Sequence, residues 1–161
     1  VETGVVDTQT HTYASAGTYD VAITATTGQI FFARGNNDRR KLLDIKNWGT
    51  CAWTTMSRAF NGCEKLEGVS ALDIPNFTNC IDTGTMFSNS CYSTSGKILN
   101  LVNWDVSNVT NMANMFESFK RYNDISTEDY MDFSNWDFSN VTKLRNFTSN
   151  SGVVWYQHKS F

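Results

Sequence analysis

The sequence predicts an α/β solenoid of about four irregular coils, each 27–32 residues long, with an antiparallel β cap at its N-terminal end. The first observation is a repeat, since Asn103–Thr110 (NWDVSNVT) returns 32 residues later as Asn135–Thr142 (NWDFSNVT). The second is a weaker match at two earlier stretches. We call the position of the repeated tryptophan the anchor of each unit and the alignment of the units without gaps the template, which puts the anchors at residues 48, 75, 104 and 136. Self-similarity at such a period is typical of stacked repeat units.

Two apolar patterns in each unit predict its elements. The positions five and three residues before the anchor are mostly apolar and predict a short strand with those residues inward: Leu43 and Ile45, Ser70 and Leu72, Leu99 and Leu101, Met131 and Phe133. After the anchor, Val109, Met112 and Met115 follow at helical spacing and predict a short helical turn. The period lies near the upper end of the roughly 20–29 residues of leucine-rich repeats. We therefore expect a short leucine-rich-repeat solenoid.

The strand positions between the inward residues define the candidate ligand-binding surface. Stacked strands form one continuous sheet, and residues that alternate with the core positions face outward. The candidate residues on this face are Asp44, Lys46, Asp73, Asn100, Val102, Asp132 and Ser134.

The N-terminal segment predicts the cap. Apolar and polar residues alternate from Tyr19 to Thr26, and a second apolar run covers Gln29 to Ala33. Thr3 to Thr8 supplies a possible third strand. The stretch His11–Val21 resembles the closing hairpin of a PKD-like immunoglobulin-type sandwich, through an H-x-Y-x-x-x-G-x-Y-x-V pattern. This resemblance implies either the tail of a truncated domain or a strand cap, and we favour the cap because solenoid ends need covering.

The repeat units resemble a known family. Both Phe60–Leu66 (FNGCEKL) and the run from Asn103 to Met112 are similar to the BspA-type leucine-rich repeats of surface proteins, over roughly residues 41–150. The predicted organisation is a PKD-like cap at 1–34, a linker at 35–40, the repeats at 41–150, and a closing strand or truncated repeat at 151–161. The resemblance implies a non-enzymatic surface module that presents its sheet face to a ligand.

Composition excludes several classes of function. The net charge of −3 and the sequence pI near 5.3 argue against nucleic acid as a partner. The sequence contains no run of about 18 apolar residues, so we expect no membrane insertion.

Nucleophile elbows, phosphate loops and zinc-protease motifs are absent from the sequence. We expect no enzyme activity, no cofactor and no metal site. Because the chain begins at Val1, we expect a processed or partial chain.

Three residue types recur in the units, and each has a structural interpretation. The tryptophans at positions 48, 104 and 136 are expected in the core rather than on a sugar-binding stripe. Asparagines four residues after the anchor are expected to bond backbone groups of neighbouring coils. Cys63 and Cys91 occupy nearly the same place in adjacent coils, so they either form a disulfide or remain buried thiols.

Three functional hypotheses remain, one of which is the remnant of a carbohydrate-active enzyme that carries these units as accessory modules. The other two are non-enzymatic. The first is an extracellular or virion-surface adhesion module that binds a host-cell or matrix ligand, a protein or a glycan, through the sheet face. The alternative is a structural, decoration or spacer domain of a larger filament, phage tail or capsid, whose partners are neighbouring subunits.

Overall fold

The computed structural model describes residues 11–32, 37–92, 98, 100–119, 130–151 and 154–156. Regular elements in this part are short. They are strands β1 (Thr27–Gln29), β2 (Ala52–Thr55), β3 (Tyr130–Asp132) and β4 (Val154–Tyr156), with 3₁₀ helices at Asn37–Arg40 and Leu101–Asn103. β1 pairs with β2, and β3 pairs with β4, both in parallel. Further parallel bridges join residues 24 to 32 positions apart, such as Asp44 with Gly68 and Asn111 with Lys143. The described chain is a stack of turn-rich coils.

The predicted α/β leucine-rich-repeat solenoid with an antiparallel cap is wrong. The described residues contain no α-helix, and the strands form two-stranded sheets of three or four residues rather than one continuous sheet. The cap is wrong in direction as well, because β1 pairs in parallel with β2. Between these pairs, single bridges take the place of strands.

The predicted helical turns are replaced by runs of overlapping turns. We call residues 56–62, 83–89, 112–118 and 144–150 the four turn runs. In the first, the N–H groups of Ala59 and Asn61 bond carbonyls three residues earlier. The N–H groups of the alternate residues leave the run and donate to the next coil, as Met56 does to Asp82 O at 2.9 Å and Phe60 to Met86 O at 2.9 Å. An α-helix keeps its amides for its own carbonyls four residues back, so this sharing excludes it.

Left-handed residues recur at the third and seventh positions of every turn run. All have φ between 52° and 71°: Arg58 and Gly62, Thr85 and Asn89, Asn114 and Ser118, Asn146 and Asn150. Glycine and asparagine tolerate this region best, because glycine lacks a Cβ and the asparagine side chain is short and polar. A left-handed residue every fourth position turns the chain back and prevents helix propagation. This backbone explains why apolar residues at helical spacing form turns here.

The core is a column of aromatic rings inside the stack. Phe60, Phe87 and Phe116 lie one above another, with ring centroids 5.2 and 5.8 Å apart and planes within 18° of parallel. Trp48 meets Trp104 edge to face at 5.3 Å, and Trp104 stacks on Trp136 at 6.2 Å. All six side chains are buried. The tryptophans are therefore core residues, as the sequence predicts, and are not available to stack on a sugar.

The first part of the N-terminal segment lies apart from this core, whereas Ala25, Ile30 and Phe32 pack against it. Tyr19, Val21 and Ile23, predicted as the buried face of a strand, are exposed and lie outside the described strands. The possible strand from Thr3 to Thr8 and the end of the run at Ala33 lie outside the described residues. The backbone joins the stack near Thr26, whose carbonyl accepts the amide of Ala52 at 2.9 Å. Ala25, the fourth residue of the predicted buried face, is partly buried against the core, so the prediction holds at that residue and fails at the three before it.

Candidate interaction surface

Three of the predicted surface residues hold neighbouring coils together. The Asp44 carboxylate accepts hydrogen bonds from the amide of Ser70 at 3.0 Å and from its hydroxyl at 2.5 Å. The Asp73 carboxylate accepts the amides of Trp48 and Gly49 at 2.8 to 3.1 Å. The Asn100 amide donates to the carbonyl of Leu72. These side chains satisfy backbone groups that a turning chain cannot pair within itself.

Lys46 is exposed and pairs with the N-terminal segment. Its ammonium lies 2.6 Å from the carboxylate of Asp20. The hydrogen bond with Asp20 and the charge of Asp20 raise the pKa of Lys46, with a smaller contribution from Asp44. Lys46 thus links residue 20 to the first coil at a solvent-exposed position, where an ion pair contributes little to stability.

The remaining candidates do not form a shared site with these. Val102 is half-buried within the second 3₁₀ helix, and Asp132 accepts the amide of Ser134 at 2.9 Å. Asp132 and Ser134 are the only two of the seven candidates joined to each other by a hydrogen bond in the part that the structure describes. The predicted face is therefore a series of local contacts between coils.

The structure exposes two apolar residues that the sequence template did not place on the surface. Leu72 is 77% exposed and Ile74 is 40% exposed, while Val69 and Ala71 are fully buried. We call Leu72 and Ile74 the apolar pair. In the third and fourth units, the residues that the template aligns with Leu72 are the buried Leu101 and Phe133.

A bend separates the apolar pair from the inward residues before it. Val69 bridges Ile98 at the template's own offset of 29, so register alone does not expose the apolar pair. Leu72 and Asp73 form a bend, and the alternation that places Val69 and Ala71 inward ends there. The signal in the sequence was that Val69 and Ala71 form an equally apolar alternate set.

The asparagine prediction is confirmed in two coils. Asn108 donates its side-chain amide to the carbonyl of Thr78 at 3.2 Å, and Asn140 donates to the carbonyl of Ser107 at 2.7 Å. Threonine hydroxyls make a parallel set of bonds, since Thr110 donates to Ile81 O at 3.1 Å and Thr142 donates to Thr110 O at 3.2 Å. Short polar side chains on the outer surface therefore tie each coil to the preceding one.

The cysteines are buried thiols. Cys51, Cys63, Cys80 and Cys91 all lie in the interior, and burial raises the pKa of Cys63 to about 12. The amide of Cys91 donates to the carbonyl of Cys63 at 3.2 Å, so these two residues are neighbours across coils. A disulfide between Cys63 and Cys91 stays a prediction. Thiols with raised pKa values are poor nucleophiles at neutral pH.

The described residues contain neither a metal-binding cluster nor a membrane-spanning helix. Three or more histidine, cysteine or carboxylate side chains do not gather there in a metal-binding group. None of the helices found there has the length and apolar composition needed to cross a membrane.

The cations near the first 3₁₀ helix are partly paired, because Arg40 lies 3.2 Å from Glu64 and Lys41 lies 2.6 Å from Asp38.

Comparison with known proteins places most of the chain in one family. No curated protein and no solved structure matches the sequence. A family model matches residues 26–153, a span that begins where the backbone joins the stack at Thr26 and leaves out the exposed segment before it. The chain belongs to the family described as Mycoplasma protein of unknown function, DUF285.

Proposed function

We propose that this chain is a non-enzymatic recognition module that acts outside the cell or on a virion surface and binds a host-cell or matrix ligand through the side of its coil stack. The proposal is supported chiefly by the apolar pair. Leu72 exposes 77% of its surface at a position whose counterparts in the next two units are buried. A large apolar side chain held in water by a backbone bend is available to a partner without any loss of core packing.

The surroundings of the apolar pair suit a protein or glycan ligand. Asp73 lies between Leu72 and Ile74 in sequence, and its carboxylate is held by the amides of Trp48 and Gly49. The backbone under the apolar pair is therefore fixed before binding, which lowers the ordering cost of association. Interfaces of this kind combine an apolar centre with a polar rim.

The test compares binding by the chain and by a Leu72→Ser, Ile74→Ser double variant. The probes are intact eukaryotic and bacterial cells and immobilised matrix proteins, with melting temperature measured for each protein. We expect the double variant to lose binding and keep its melting temperature, since substitutions at exposed positions change stability by less than about 0.5 kcal/mol. The matched control is Ile81→Ser, an exposed apolar residue of the same coil, which should bind like the parent.

Equal binding by the double variant and the parent contradicts the role of the apolar pair. Failure of the parent to bind any of the cells or matrix proteins contradicts adhesion itself. That result favours the structural alternative, in which the chain contacts its own assembly.

A further inference from the structure

Two of the four cysteines lie side by side on neighbouring coils. The amide of Cys91 donates to the carbonyl of Cys63 at 3.2 Å, and the amide of Tyr92 donates to the carbonyl of Glu64 at 3.1 Å. These two successive hydrogen bonds share one register, so residues 63–64 and 91–92 run parallel to each other. Backbone segments paired in this way lie about 5 Å apart, and a disulfide usually spans about 4.4 to 6.8 Å between Cα atoms. The backbone therefore holds Cys63 and Cys91 at a separation that a disulfide can bridge.

Both thiols lie on the inner side of their coils. Cys63 and Cys91 have no solvent-exposed surface. The template aligns Cys63 with Ser90, which is also buried and donates its hydroxyl to the carbonyl of Phe87 at 2.5 Å. The structure instead pairs Cys63 with Cys91, whose left-handed backbone, with φ of 55°, accommodates the extra residue in the second coil. The sequence alone leaves the two cysteines one position out of step, and the stack brings them level.

The other two cysteines are buried as well, but they are not level with each other. Cys51 precedes Ala52, which bridges Asn76 of the second coil. Cys80 lies four residues beyond Asn76, and its thiol donates to the carbonyl of Asp82 at 3.5 Å. Burial of a cysteine in this stack therefore does not by itself create a pair, and Cys80 serves as an internal control.

We propose that Cys63 and Cys91 are a redox modification site, at which a small-molecule disulfide such as oxidised glutathione converts the two thiols into a disulfide that joins the first coil to the second. The bond closes the segment of chain that carries the apolar pair. The proposal does not depend on the recognition function, because its tests measure sulfur chemistry and stability.

The reaction consists of two thiol–disulfide exchange steps. In the first, the thiolate of one cysteine attacks a sulfur of oxidised glutathione, which forms a mixed disulfide and releases one glutathione. In the second, the thiolate of the other cysteine attacks the protein sulfur of the mixed disulfide, which forms the protein disulfide and releases the second glutathione. The two cysteines lose two protons and two electrons in total, and the two released glutathione thiols carry both. Excess dithiol reverses the reaction.

Burial controls when the disulfide can form. Oxidised glutathione cannot reach either sulfur while the two coils are packed, and the raised pKa of Cys63 keeps its reactive thiolate scarce. We therefore expect oxidation while the chain folds or when these coils open. The folded, reduced protein should form the disulfide at least about tenfold more slowly in buffer than in a urea concentration that partly unfolds it.

Peptide mapping identifies the bond directly. The chain is unfolded in urea under reducing conditions, refolded with reduced and oxidised glutathione, treated with iodoacetamide and digested with trypsin. Trypsin releases residues 59–65, which contain Cys63, and residues 66–97, which contain Cys80 and Cys91. We expect these two peptides to appear as one species that is lighter than their sum by two hydrogen atoms, and to separate after reduction.

Two alanine variants assign the partner of Cys63. Cys91→Ala should lose the joined peptides, and Cys80→Ala, the matched control, should keep them. Oxidation of the parent should raise its melting temperature by at least about 5 °C, because the bond restricts the unfolded chain. Cys91→Ala should melt at the same temperature whether it is refolded with oxidised or with reduced glutathione.

Four results overturn the proposal. The first is that iodoacetamide modifies all four cysteines of the refolded parent, and the second is that the joined peptides persist in Cys91→Ala. The third is that the disulfide joins two chains, which non-reducing electrophoresis detects as a dimer. The fourth is that the folded protein reacts as fast as the unfolded chain, which would contradict the burial of the two thiols. The binding test of the apolar pair stands whichever result is obtained.

Discussion

The third and fourth turn runs have nearly the same backbone but different environments. Both carry left-handed residues at the same two positions, Asn114 and Ser118 in one and Asn146 and Asn150 in the other. Met112 in the third run is fully buried, and its counterpart Leu144 is 41% exposed. The third run has a coil on each side, whereas the described residues cover the fourth run on one side only. Burial in this protein therefore comes from the adjacent coil, and the local sequence sets only the turn that makes stacking possible.

The largest effect should separate these two positions directly. We expect Met112→Asp to lower the free energy of unfolding by about 4 kcal/mol or more, because it leaves an unpaired charge in the interior. Leu144→Asp should cost less than about 1 kcal/mol, since its carboxylate remains in contact with water. Urea denaturation of both variants measures the difference. Similar losses at the two positions would show that the fourth run is as well covered as the third.

The second-largest expected loss of stability separates hydrogen bonds between coils from hydrogen bonds within one coil. Asp73→Ala removes a carboxylate that holds the amides of Trp48 and Gly49 in the preceding coil, and we expect a loss of about 1.5 to 3 kcal/mol. Asp105→Ala is the matched control. Asp105 accepts hydrogen bonds from Ser107 of its own turn, and these bonds lower the pKa of Asp105. We expect a smaller loss, below about 1 kcal/mol. An equal or greater loss at Asp105 would assign the stability to local turns.

A pH series reports on burial inside the stack. Burial raises the pKa of Cys63 from 9.0 to about 12. Between these values the unfolded chain has lost the thiol proton and the folded chain keeps it, so stability should fall as pH rises, by about 1.4 kcal/mol per pH unit for this thiol. In the Cys63→Ala variant, the free energy of unfolding should fall less steeply with pH between about pH 9 and pH 11. An unchanged slope in this variant would mean that Cys63 ionises alike in both states.

The smallest effect concerns the asparagines on the outer surface. Asn108→Ala removes the bond to the carbonyl of Thr78 and should cost about 1 kcal/mol. Asn79 occupies the same template position in the second coil but makes no side-chain bond to the first coil among the described residues. Asn79→Ala should therefore change thermal stability by less than about 0.5 kcal/mol. Calorimetry on the two variants shows whether stability depends on the template position or on the hydrogen bond itself.

The sequence predicted the residue offset between coils and the burial of side chains better than it predicted the backbone conformation. The identity of the two Asn-Trp-Asp segments predicted a 32-residue offset, and the amide of Thr142 does bond the carbonyl of Thr110. The apolar residues at helical spacing also predicted the burial of Val109, Met112 and Met115. The sequence did not predict that these residues form turns, because apolar residues at helical spacing also suit a run of turns in which every second amide bonds the next coil.

The candidate surface was less predictable, for a related reason. A template without gaps placed Leu72 inward, but Leu72 and Asp73 form a bend at which the strand alternation ends. Asp44, Asp73 and Asn100 were predicted to lie on a ligand-binding face, but their hydrogen bonds to neighbouring coils depend on the stack and cannot be derived from one unit. Alternation likewise could not show that the exposed side chains of the N-terminal segment have no covering strand in the part of the chain that the structure describes.

Each coil is stabilised by the coil stacked on it, and native-state hydrogen exchange of the free protein measures this dependence residue by residue. We predict slow exchange at Met112, Asn114 and Ser118, whose amides bond the fourth coil, and faster exchange at Leu144, Asn146 and Asn150. The two sets share a backbone conformation and, in the part of the chain that the structure describes, differ in whether a following coil accepts their amides. Equal protection in the two sets would show that stacking does not determine stability.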